Sequence, residues 1–100
     1  MTVTVIVDAE NVRRSVWPNI GRSELVELVE AWASREGHQS LVVFEGDESA
    51  DDQIARWAAD PVGPYWLVTS DRDLRRRAGG GAERVLGGGS FARLLRDLST

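Results

Sequence analysis

Apolar residues along this chain fall into short continuous runs separated by stretches with a three-to-four-residue rhythm. "TVTVIVDAEN" is a nearly unbroken β-branched run, as expected of a strand buried on both faces, and it ends at Asp8. "SELVELVEAWASREG" places Leu25, Leu28, Val29 and Trp32 on one stripe of a helix, with Ser23 available to cap it and Gly37 to end it. "HQSLVVFEG" reads as a second buried strand ending at Glu45. "SADDQIARWAAD" reads as a helix capped by Ser49 and closed by Pro61, and "PYWLVTSD" as a third strand ending at Asp71. A short helix "RDLRRRA" stops at the glycines 79–81, and "AERVLGG" forms a brief fourth strand. "SFARLLRDL" closes the chain as a helix with Phe91, Leu94, Leu95 and Leu98 on one side. The glycines 87–89 read as a flexible turn without the lysine or spacing of a phosphate loop. Strands alternating with helices predict an α/β fold on a mainly parallel sheet.

One hundred residues suffice for one domain, 1–100, with a single core. Cysteine is absent, which excludes disulfides and thiolate metal sites. The opening "MTVTVIV" lacks a basic leader region, and no apolar run approaches membrane-spanning length. These features predict a soluble, cytoplasmic protein. The net charge of −4 argues against a binder that holds nucleic acid by bulk charge alone. All 12 basic residues are arginine, whose forked donors match phosphate oxygens; base composition of the genome produces the same bias.

Candidate chemistry gathers at one edge. Parallel strands joined by right-handed crossovers bring their C-terminal ends together, where α/β proteins bind ligands. The first three strands are expected to deliver Asp8, Glu45 and Asp71 there. Asp51 shares a helical stripe with Ile54 and Ala58, so it should turn inward at a helix start, while Asp52 lies about 100° around the helix at the rim. Converging carboxylates raise one another's pKa, and a hard divalent cation removes that penalty. Mg²⁺ or Mn²⁺ on Asp8, Asp51, Asp71 and Asp73 would activate water for phosphodiester cleavage. Asn11, three residues past Asp8, could orient that carboxylate or a phosphate.

Each residue also has a plainer reading. Asp71 could cap the short helix, with Ser70 and Asp73, or Ser49 and Asp52, forming capping boxes; Asp8 could open a turn, and Glu45 could belong to an ordinary loop. His38, the sole histidine, starts a strand and so belongs at the opposite edge, which argues against histidine acid–base cleavage and a histidine-ligated zinc. Arg75, Arg76 and Arg77 are either a solvated helix face or a grip on the RNA backbone. Trp32, Trp57 and Trp66 read as core; Trp17, in the loop after Asn11, is the tryptophan placed to stack on a base.

"VIVDAENV", "LVVFEG", "SADDQIARWA", "VTSDRDLRRRA" and "GAERVLGGGSFARLL", in that order, resemble the NYN domains of the PIN-like nuclease superfamily, in particular the YacP-like branch. The resemblance covers most of the chain. It implies a three-layer sandwich and a ribonuclease or RNA-processing role dependent on Mg²⁺ or Mn²⁺. By motif, Asp8 and Asn11 match the first acidic strand end, Asp51 and Asp52 the helix-start acids, and Asp71 and Asp73 the "SD" motif. Glu45 stands where relatives often carry aspartate. Only "DES" separates Gly46 from Ala50, where relatives usually have a longer stretch, often with a further strand. A sheet of about four strands is therefore expected, with an edge that a second copy of the chain could cover. Two other classes compete: a non-catalytic RNA-binding module of the same fold, and a Toprim-like domain suggested by "FEG" and "DRD". The early "DAEN" and the order of the motifs argue against the latter.

Overall fold

Residues 2–98 are described by the computed structural model. Its elements are β1 (Thr4–Asp8), α1 (Ala9–Arg14), α2 (Arg22–Glu36), β2 (Gln39–Val43), α3 (Ala50–Ala59), β3 (Tyr65–Val68), α4 (Arg72–Ala78), β4 (Arg84–Leu86) and α5 (Gly88–Leu98). The four strands form one sheet in the order β2-β1-β3-β4, and all three pairings are parallel. Val7 is level with Val42 on one side and Val68 on the other.

The continuous apolar runs follow from burial on both faces. Alternate residues of β1 point to opposite layers. Val5 and Val7 join Val68 under α1, α2 and α5, in a core with Val12, Leu25, Val29, Trp32, Phe91 and Leu95. Ile6 joins Leu67 and Tyr65 under α3 and α4, with Ile54, Leu74 and Ala78. The fold is thus a three-layer α/β sandwich around a four-stranded parallel sheet. Among the described residues, no helix is long and apolar enough to cross a membrane.

Several boundaries differ from the expectation. α1 was not predicted: its six residues place only Ala9 and Val12 in the core, too few to show a period. α2 is capped at Gly21, whose N–H donates to Glu24 Oε1 at 3.3 Å, so Ser23 lies inside the helix. Glycines 88 and 89 open α5 instead of forming a turn. The buried stripe of α5 runs through Phe91, Ala92 and Leu95, and Leu94 and Leu98 at its border are 38% and 40% exposed. β2 and β3 end at Val43 and Val68, so Glu45 and Asp71 are loop residues beyond the strands.

At the sheet's other edge, His38 packs against Trp32 and Trp66, with ring centroids 5.5 and 4.6 Å away. Its place far from the acidic residues agrees with the sequence.

Candidate active site

Chain direction away from the sheet diverges at β1, which neighbours β2 on one side and β3 on the other. The crevice outside such a switch point is where this architecture places ligands. Here Asp8 ends β1, and Thr69 follows β3 directly.

Asp8 is 6% exposed and Thr69 is fully buried. The Thr69 hydroxyl donates to Asp8 Oδ2 at 2.8 Å and accepts from the Asp71 N–H at 3.1 Å. One hydroxyl therefore fixes the Asp8 carboxylate and the backbone at Asp71. Asp8 occupies the N-cap position of α1, yet its side chain makes no capping hydrogen bond. Its carboxylate lines the crevice instead.

A second set of hydrogen bonds ties α1, the loop after β3 and α5 together. Asn11 Oδ1 accepts from the Ser70 N–H at 2.9 Å, and Ser70 Oγ accepts from the Gly88 N–H at 2.8 Å. α5 comes so close that a Cβ at Gly88 would overlap Asn11 Oδ1 and stand 2.9 Å from Ser15 Oγ. Asn11 thus holds the loop that carries Asp71.

Glu45 Oε1 accepts from the Ala50 N–H at 3.2 Å, beside the Ser49 cap of α3, whose Oγ accepts from the Asp52 N–H at 3.1 Å. That contact brings the start of α3, and Asp51 with it, to the crevice. Asp71 is the N-cap of α4: Oδ1 accepts from the Leu74 N–H at 3.1 Å. The same residue also lines the cleft.

The result is an open cleft of about 440 Å³. Asp8, Glu10, Glu45, Asp51 and Asp71 line it, with Asn11, Arg14 and Ser15 on the α1 side. Burial pushes the Asp8 carboxyl up; the Thr69 hydrogen bond opposes this, and Asp51, Asp71 and Glu45 add to the rise. Burial also raises Asp51, reinforced by Asp71 and Glu45 and opposed by Arg77. Among the described residues, no three acidic, histidine or cysteine side chains form a ready-made metal cage.

Asp52 and Asp73 stand outside the lining. Asp52 pairs with Arg77 at 2.9 Å, and hydrogen bonds from Arg77 and Ser49 lower its pKa. Asp73 pairs with Arg76. Arg75 Nε donates to the Thr69 carbonyl at 2.8 Å. Each of the three arginines expected to grip phosphate therefore has a partner within the fold. Trp17 is 85% exposed.

Thr69, Glu10, Arg14 and Ser15 were not singled out in the sequence. Thr69 alone carried a signal: a hydroxyl residue directly after a buried strand, two before an aspartate.

No protein-family model matches the chain, and no curated protein matches it. Among solved structures it is similar to Rae1 (YacP) from Bacillus subtilis, crystallised as a point mutant. The TM-score is 0.72 at 16% identity, over 98% of this chain and 77% of that one. At this identity the likeness shows a shared fold, the YacP-type α/β sandwich.

Proposed function

We propose that this chain is a metal-dependent ribonuclease that hydrolyses RNA phosphodiester bonds in the acidic cleft. The observation that carries the reading is Asp8: a carboxylate buried at the switch point, hydrogen-bonded by a hydroxyl and repelled by Asp51, Asp71 and Glu45. Burying such a charge beside others is costly unless a cation joins it. The resemblance of the motifs to NYN domains and the fold shared with Rae1 (YacP) support the same reading.

The donor set is all oxygen, which fits Mg²⁺ or Mn²⁺. Mg²⁺ keeps several waters and is commonly held by one or two carboxylates plus substrate phosphate, so a closed protein cage is not required. Asp8, Asp51 and Asp71 would hold the ion, with Glu45 close by. A bound ion would polarise the phosphate and lower the pKa of water. Thr69 keeps Asp8 in one orientation, and Asn11 keeps the Ser70–Asp71 backbone in place. Asp73 and Asp52 balance Arg76 and Arg77 instead of facing the ion.

The competing reading is a non-catalytic RNA-binding module of the same fold. Incubating labelled single-stranded RNA with the purified chain separates the two. We expect cleavage with Mg²⁺ or Mn²⁺ and none in EDTA. Retarded but intact RNA under both conditions would identify the binding module, and cleavage unchanged by EDTA would refute the metal mechanism.

A further inference from the structure

We infer that the RNA backbone is gripped on the α1–α2 side of the cleft, by Arg14 and Arg22 held through Glu10, with Trp17 as the adjoining base platform. This inference rests on the ribonuclease reading and assigns its substrate track.

Glu10 is a mostly buried carboxylate ringed by guanidinium groups. Arg13 Nη1 lies 2.5 Å from its Oε1, Arg14 Nη2 3.3 Å from the same oxygen, and Arg22 Nε 3.4 Å from Oε2. One negative charge faces three positive ones, which leaves a local surplus of two. Arg13 is spent inside the fold, since its Nε also donates to the Ile20 carbonyl at 2.8 Å. Arg14 and Arg22 are different. Their side chains are 68% and 66% exposed, and a guanidinium has five donors, most of which these contacts leave available.

Position supports the assignment. Glu10 and Arg14 both line the acidic cleft. The Arg22 guanidinium lies 6.0 Å from the Phe44 ring centre, next to cleft-lining Glu45. Arg14 therefore offers positive charge directly beside the carboxylates, and Arg22 extends it outward through the shared Glu10, along a path a polyanion must take. On the α4 side, Arg76 and Arg77 neutralise Asp73 and Asp52.

Trp17 supplies the second half of the site. It is two residues past Ser15, a cleft residue, so their backbones are at most about 7 Å apart. Its indole is 85% exposed. An exposed ring beside a basic track suits an unpaired base, so the ligand is single-stranded RNA.

The test uses the full chain carrying Asp8→Asn, which should bind without cutting, and a fluorescent 12-nucleotide oligouridylate over a range of salt. Arg14→Gln with Arg22→Gln should weaken binding at least ten-fold and flatten the salt slope by about 1.4, the value for two lost single-strand phosphate contacts. Trp17→Ala should weaken binding about ten-fold with no change in slope. Arg76→Gln with Arg77→Gln should change neither. All these side chains are exposed, and unchanged circular dichroism would verify folding. Equal binding by the Arg14/Arg22 variant, or a larger loss from the Arg76/Arg77 variant, overturns the assignment. Wild-type metal-dependent cleavage alongside either result would leave the ribonuclease reading standing, whereas absence of both binding and cleavage in wild type would overturn both.

Discussion

Asp8→Asn should lower cation-dependent RNA cleavage by about two to three orders of magnitude while leaving the fold as stable as before, or more so. The loss follows from the several kcal/mol that a catalytic cation contributes to a phosphoryl transition state, at a tenfold change in rate per about 1.4 kcal/mol. The stability follows from the site. Asparagine can still accept the Thr69 hydroxyl hydrogen bond, and it removes a buried charge that Asp51, Asp71 and Glu45 repel. The pH dependence has a definite sign. A carboxylate raised above its ordinary 3.8 binds more protons folded than unfolded between the two pKa values. Without metal, Asp8 and Asp51 therefore destabilise the chain above their folded pKa values, and stability recovers as pH falls through them. Asp52 and Glu48 are shifted down by Arg77 and Arg56, so their stabilisation is lost at lower pH, as the medium falls below about 3.8 and 4.5 towards their folded values. Thermal melts of the two proteins in EDTA from neutral to mildly acidic pH would check this. The wild-type midpoint should gain on that of Asp8→Asn as pH drops. A wild type far more stable than the variant at neutral pH would contradict the assignment of Asp8 as an unneutralised charge.

Gly88→Ala should destabilise the chain and disturb the cleft together. The added methyl would overlap Asn11 Oδ1 and crowd Ser15 Oγ at 2.9 Å. Asn11 is short and held by the Ser70 N–H, so it can yield only by breaking that hydrogen bond or by moving α1 away from α5. Overpacking of this kind costs about 1–3 kcal/mol. In a chain of this size each kcal/mol lowers the melting midpoint by about 4–8 °C. Cleavage should fall as well, because the displaced loop carries Asp71. Gly89→Ala is the matched control. Its Cβ would meet nothing nearer than Arg93 Nη1 at 3.4 Å, the end of a flexible chain. Equal melting midpoints for the two variants, by calorimetry, would show that the approach of α5 to Asn11 is not tight.

Much of this was legible in the sequence. The unbroken runs in β1 and β3 signalled burial on both faces, and turn residues punctuated every helix but one. Asp8 was legible because it ends a run that must be a central strand. Asp51 was legible because Ile54 and Ala58 fixed the inward face of α3. What stayed hidden depends on partners distant in sequence. Thr69 and Asp8 are 61 residues apart, and no local pattern announces their hydrogen bond. Arg75, Arg76 and Arg77 looked like a basic rim because their partners, the Thr69 carbonyl, Asp73 and Asp52, are set by the fold. Glu10 and Arg14 became cleft residues only through α1, which has too few apolar positions to announce itself. The glycines 87–89 concealed a helix start because close packing on Asn11, not a turn, requires Gly88 there.

The central claim is that Asp8, Asp51 and Asp71 act as one cation-binding unit. Calorimetric titration of Mn²⁺ into the purified chain at neutral pH tests it most directly. Heat of binding should be clear for wild type, sharply weaker for Asp8→Asn and for Asp51→Asn, and unchanged for Asp73→Asn, whose carboxylate faces Arg76. Identical Mn²⁺ binding by wild type and Asp8→Asn, or loss confined to Asp73→Asn, would contradict the account.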